Sequence, residues 1–163
     1  MKGFVIAEQA HVVNILAPVD ITGGKTAQAF STANYQHVTI IVQIGVSAAA
    51  FTKILVNQCT DASGSNPTAI PFAIYKQETA GASNDVLGAR TAVTSAGYTP
   101  SANDGIFYVI EIDASELQGA DNGTEGKYLQ LQMTNGANSV IASALAILSG
   151  ARFAETQSPT VCA

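Results

Sequence analysis

The stretch from His37 to Gln58 constrains this chain more than any other. His37-Val-Thr-Ile-Ile-Val-Gln-Ile-Gly45 is a β-branched run, interrupted by Val46-Ser-Ala-Ala-Ala50 and answered by Phe51-Thr-Lys-Ile-Leu-Val-Asn-Gln58. Val, Ile and Thr lose side-chain freedom against a helical turn but fit a pleated sheet well. Gly45 sits where a strand should stop or bulge. The two runs therefore predict a long hairpin at the centre of an all-β core.

Weaker strands surround it. The opening residues predict an arm, 1–16, that ends in a short strand around Val12–Leu16. Pro18 and Gly23-Gly24 then turn the chain towards a strand over Thr26–Phe30. Ile70–Lys76 reads as a strand whose Pro71 marks an edge or bulge, and Val86–Thr94 as one interrupted at Gly88. Ile106-Phe-Tyr-Val-Ile-Glu-Ile112 is the second strong strand. Asp113-Ala-Ser-Glu116 after it fits a capping box, with Asp113 as the cap of a helical turn through Leu117. Tyr128-Leu-Gln-Leu-Gln-Met-Thr134 alternates with the period of a half-buried strand. Asn135-Gly136 is a hairpin signal that predicts Ser139–Leu148 as its partner. Strands at this spacing, with turn clusters between and no long helical pattern, predict one domain over 1–163: a β-sandwich or jelly-roll-like barrel, ending in a loose tail at 155–163.

Charge narrows the function classes. Charged residues are 12% of the chain, about half the usual share of roughly 25%. So few charges point to a surface covered by other subunits, or to a neutral polar surface on a monomer. The net charge is −5, and the seven Lys+Arg are scattered singly. Phosphate binding needs clustered cations, so direct nucleic-acid contact is not expected. No apolar run reaches the 18 or more residues of a spanning helix, so no membrane partner is expected. Glu8 cuts the first apolar run too early for a signal-peptide core, and the chain is expected to be made and folded in a cytoplasm. Two cysteines, Cys59 and Cys162, are too few for a disulfide scaffold or a four-ligand zinc site. A packed thiol is expected at Cys59 and an exposed one at Cys162.

Each candidate for chemistry has a plainer reading. His11 and His37 are the two histidines, with no metal-ligand spacing between them, and structural roles are expected for both. Glu111 and Asp113 are two apart on a strand and share a face, the arrangement acid–base pairs use, yet Asp113 has a ready role as a cap. Asp61-Ala-Ser-Gly-Ser-Asn66 offers oxygens to Ca²⁺ but lacks the acidic series and closing Glu of a calcium loop, so a turn is expected. There is no nucleophile-elbow, phosphate-loop or dinucleotide signature. No catalytic residue, metal site or cofactor is expected.

Several segments together resemble a known group. They are Ile6-Ala-Glu8 with Ala17-Pro-Val-Asp-Ile21 and the glycine pair after it; Asn34-Tyr-Gln-His-Val-Thr-Ile-Ile41; Gly45-Val46; Cys59-Thr-Asp-Ala-Ser-Gly64; Thr94-Ser-Ala-Gly97; Phe107-Tyr-Val-Ile-Glu-Ile-Asp-Ala-Ser-Glu-Leu117; and Ala144-Leu-Ala-Ile-Leu-Ser-Gly150. The chain resembles the capsid decoration, or cement, proteins and other head-associated structural proteins of tailed bacteriophages. The resemblance implies a virion protein on the capsid exterior, commonly a homotrimer, that binds the major capsid protein and ties capsomers together. It also implies an N-terminal arm that adds a strand to a neighbour. Carried onto this chain, the arm is Lys2–Val13, and Lys2, Phe4, Ile6, Val12 and Val13 are the expected capsid or subunit contacts. Phe4 and Ile6 would point the same way in a strand, or else close the chain's own core. Two alternatives stand beside this one. The first is a tail-tube, tail-terminator or head–tail joining protein. The second is a carbohydrate-binding receptor-recognition module, for which Tyr98 is the aromatic residue placed in a loop.

Overall fold

In the computed structural model, which describes residues 3, 5–78, 86–101, 104–117, 128–151 and 160, alternation along the strands sorts side chains into two layers. A helical turn, α1 (Ile6–Gln9), precedes eleven strands: β1 (Ala10–Asp20), β2 (Lys25–Thr26), β3 (Phe30–Ser31), β4 (His37–Ser47), β5 (Lys53–Cys59), β6 (Thr68–Ala69), β7 (Phe72–Glu78), β8 (Thr91–Val93), β9 (Ile106–Asp113), β10 (Tyr128–Thr134) and β11 (Val140–Ser149). They form two antiparallel sheets. The larger runs β1-β11-β4-β9-β7-β8, and the smaller runs β2-β10-β5-β6 with β3 also paired to β10. The fold is all-β, as the sequence predicts.

The core lies between the sheets. Val38, Ile40, Val42 and Ile44 of β4, and Ile106, Tyr108, Ile110 and Ile112 of β9, point inward from the larger sheet and are at most 3% exposed. Leu129, Leu131 and Met133 of β10, with Ile54 and Val56 of β5, come from the smaller one. Each such side chain contributes roughly 1.5–3 kcal/mol by leaving water.

The strand positions match the sequence reading, but the pairing does not. The predicted central hairpin is not formed. β4 pairs with β11 and β9 in the larger sheet, whereas β5 pairs with β10 and β6 in the smaller. The predicted Tyr128–Leu148 hairpin is likewise absent, because β10 and β11 lie in different sheets. In both cases five residues separate the strands. At up to about 3.3 Å each, five residues can cross the roughly 10 Å between packed sheets. The two crossings run side by side: the Ala48 amide donates to the Ser139 carbonyl at 2.9 Å, and the Thr52 amide to Thr134 at 2.9 Å. Asn135 and Gly136 serve the crossing itself. The Asn135 amide group donates to the carbonyls of Asn138 and Ile21, at 2.8 and 3.1 Å, and the Gly136 carbonyl accepts from Gly23 at 2.8 Å.

Other segments differ in detail. The predicted Thr26–Phe30 strand splits into β2 and β3, two short partners of β10. Pro71 lies between β6 and β7, where the chain leaves the smaller sheet for the larger. Lacking an N–H, it marks a change of sheet and not a strand interior. Of Val86–Thr94, only Thr91–Val93 is strand. Gly45 does lie at a bulge, where β4 and β11 change register between Ile44 and Ser47. β1 is longer than the predicted Val12–Leu16 and changes register twice against β11, around Leu16. The predicted tail at 155–163 lies outside the described residues except for Thr160, whose carbonyl accepts from the Ser31 amide at 2.7 Å.

Two positions hold the ends of this layout. Asp20 ties the end of β1 to the start of β11: its carboxylate accepts from the Ser139 hydroxyl at 2.6 Å, the Thr22 hydroxyl at 2.7 Å and the Thr22 amide at 2.9 Å. These bonds, Ser139's first, lower its pKa from 3.8 to about 2. A carboxyl depressed on folding contributes stability above its unfolded pKa and loses it as pH falls through the folded one. Stability is therefore expected to drop between pH 4 and 2, and Asp20→Asn should flatten that part of a denaturation-versus-pH profile. Gly97 has φ +83° before Tyr98, which bridges to Ile54, and a Cβ there would stand 2.8 Å from the Ile54 carbonyl oxygen. Gly97→Ala is expected to cost about 1–3 kcal/mol in urea unfolding, while Thr68→Ala on exposed β6 should stay within about 0.5 kcal/mol.

Candidate interaction surface

The strand register places three ionisable groups together that lie far apart in sequence. His37, first in β4, stands opposite Asp113, last in β9, and Thr39 stands opposite Glu111. All four residues occupy outward positions, because Val38 and Ile112 between them point into the core. The His37 Nδ1 lies 2.7 Å from Asp113 Oδ1 and its Nε2 2.6 Å from Glu111 Oε2. The Thr39 hydroxyl also donates to Glu111 Oε2, at 2.7 Å. An ionised carboxylate only accepts, so both contacts are hydrogen bonds at once when both ring nitrogens carry a proton. Partial burial pulls the His37 pKa down, but the bonds and charges of Asp113 and Glu111 outweigh it and hold the pKa above 6.5. Asp113 was predicted as a helix cap. The 3-10 turn Ala114–Glu116 does follow it, but its side chain caps nothing and serves His37.

A cavity of about 470 Å³ opens beside this cluster, with Tyr75, Arg90 and Glu116 adding polar groups to its wall. Among the described residues no set of three His, Cys, Asp or Glu is arranged to hold a metal ion. Each ring nitrogen of His37 is committed to a carboxylate.

The rest of that outward face is apolar at its middle. Leu145 of β11, Ile41 of β4, Val109 of β9 and Tyr75 of β7 fall in one row across four strands. All four are half-buried. The next row towards His37 carries Val12, Ile147, Thr39 and Glu111, and the row on the other side Ser143, Gln43, Phe107 and Gln77. An outward sheet face is usually polar on alternate residues. Here the alternation continues, but both sides of the strands carry apolar groups.

The expected contact residues separate. Lys2 and Phe4 lie outside the described residues. Ile6 is 42% exposed on α1, so the extended arm is not formed at that point. Val12 is 49% exposed on the outward side of β1, while Val13 is 5% exposed and packs in the core, closed to any partner. β1 pairs with β11 of the same chain. His11 stacks on Tyr35, with ring centroids 6.0 Å apart. Tyr98 meets the buried Tyr108 edge-on at 5.6 Å and packs against the core. The Asp61 carboxylate closes its own turn, accepting from the Ser63 and Ser65 amides at 2.8 and 3.1 Å. Cys59 is a buried free thiol whose pKa burial raises; Cys162 lies outside the described residues. The outward row and the His37 cluster escaped the sequence reading, because each is assembled across strands whose neighbours were not known.

Comparison with protein-family models and with curated proteins finds no match. Among solved structures, the chain is similar to the crystal structure of the SPBc2 prophage-derived protein YomS, at 12% identity and a TM-score of 0.42, over 85% of this chain and 92% of that one. An overlap at that score carries no conclusion about what this chain does. No helix of the described residues is long and apolar enough to cross a membrane.

The His37 arrangement has a measurable pH signature. A histidine whose pKa rises on folding stabilises the fold below its unfolded pKa, near 6.5, and ceases to do so as pH rises through the folded value. The His37 ring should titrate above 6.5 by NMR. Unfolding free energy should fall with pH in that range, and His37→Gln should remove the slope. A His37 pKa below 6.5 contradicts the clamp.

Proposed function

We propose that this chain is a non-enzymatic structural protein of a tailed-phage particle, acting by surface docking on the capsid exterior in more than one copy. The observation that carries this reading is where apolar surface collects outside the core. Of seven exposed large hydrophobic residues among those described, Val5, Ile6 and Val12 fall within the first twelve positions, on and beside α1 and at the start of the long edge strand β1. Single exposed apolar residues are ordinary on any protein, but grouped ones mark contact surfaces. The segments that resemble phage decoration proteins supply the class of particle. The major capsid protein is the proposed partner at the β1 edge, and the low share of charged residues fits a chain largely covered by neighbours.

A docked strand edge gains affinity from backbone hydrogen bonds and specificity from alternate side chains. Many weak contacts on one lattice then sum through multivalency. Val5→Asp combined with Ile6→Asp should weaken binding to assembled shells at least tenfold in co-sedimentation, with the melting temperature unchanged within about 2 °C, since α1 has no buried residue. Undiminished shell binding by that variant, or no shell binding by the parent chain, would sink the proposal.

A further inference from the structure

We infer that the outward face of the six-stranded sheet is a self-association surface, occupied by the same face of a second copy of this chain. The inference deepens the multi-copy part of the proposed function and rests on that reading. It gives the copies a two-fold contact, where the resemblance to decoration proteins implies a three-fold one.

Three observations select a second copy as the occupant. The first is charge. The outward positions of β11, β4, β9 and β7 carry His37, Glu111 and Asp113 as their charged residues among those whose side chains are described. His37 bonds both carboxylates, and Glu111 takes a further bond from Thr39. Charges that leave water must be paired and hydrogen-bonded beforehand. Gathered at one end of β4 and β9, these charges leave the middle of the face neutral, and a surface as neutral as that fits it.

The second observation is area. Five strands, β1 to β7 in sheet order, at about 4.8 Å spacing and about eight residues of roughly 3.3 Å, cover roughly 600 Å² in plan. Side-chain relief raises the accessible area above that, towards the roughly 800 Å² per partner of a stable interface.

The third is the order of the rows. A two-fold axis along Leu145–Ile41–Val109–Tyr75 lays that apolar row on its own copy. It sets the row holding Thr39 and Glu111 over the partner's neutral row of Gln43 and Phe107. The two His37 clusters then sit at opposite ends, and like charges do not meet. An axis along the strands would place cluster on cluster, and is disfavoured for that reason. Isologous two-fold contacts of this kind are the commonest among homo-oligomers.

The test is the oligomeric state of the full chain. The parent protein at micromolar concentration should be a dimer by light scattering on a sizing column. Val109→Asp should convert it to monomer, and Thr68→Asp, on the opposite sheet, should leave the dimer intact. Because Val109→Asp could disturb folding, a second variant avoids the issue. Ile41→Cys in a Cys162→Ser background should be cross-linked to a dimer by a short bis-maleimide, with Cys59 shielded by burial. A monomeric parent chain overturns the inference, as does a dimer or trimer that Val109→Asp leaves unchanged and that position 41 does not cross-link. A monomer that still binds shells removes this inference and keeps the proposed function. A face-dependent dimer without shell binding does the reverse.

Discussion

The structure depends on the burial of one side of β4 and β9 against β10 and β5. Val38, Ile40 and Val42 are fully enclosed, as are Ile106, Tyr108 and Ile110 beside them and Leu129, Leu131 and Ile54 across the core. Because the side-chain period of a strand is two, this burial fixes every outward residue at the same time. A slip of one residue in β4 would turn His37, Thr39 and Ile41 inward and expose the core set. The His37 clamp and the Ile41 row are consequences of how the core packs. They sit on the most strongly specified strands of the molecule, which makes the outward face as rigid as the inward one.

The same period explains what could be read in the sequence. Alternation at Tyr128–Thr134 and the β-branched run at His37–Gly45 marked strands that are there, nearly to the residue. Alternation says that one face of a strand is buried; it does not say which strand lies beside it. Five residues can turn a hairpin with a long loop or cross between sheets, and the residues at 48–52 and 135–139 cross. Asn135-Gly136 misled for a related reason. The Asn135 side chain and the Gly136 carbonyl bind the loop after β1, more than 110 residues away in sequence, and that partner leaves no local trace. The candidate surface was hidden by the same gap. Glu111 and Asp113 were visibly on one face, but His37 joins them through the register of β4 on β9.

The two halves of the proposed interaction surface differ in kind. At the start of the chain, Val5 and Ile6 ride on a short helical turn with no buried residue. That turn is attached to the fold by its continuation into β1, and its surface can adapt to a partner. The sheet face is held by the core beneath it and can only accept a partner of matching shape. Pre-organised surfaces lose little entropy on binding, and adaptable ones tolerate variation in what they meet. The functional reading uses each accordingly: the adaptable start for a foreign lattice, the rigid face for an identical chain.

The edges of the sheets set a limit on growth. β6, β2 and β3 have two residues each and β8 has three, too few to template another strand. β1 has eleven, but Pro18 and two register shifts break its second half, and the Ile15 carbonyl is already taken by the Gln28 amide. The unbroken ladder of β1, residues 10–14 paired to β11, is the longest run on an outer edge among the described residues. A subunit whose other outer strands are this short offers little template for endless addition, the feature that spares a sheet-rich chain the runaway stacking of fibrils.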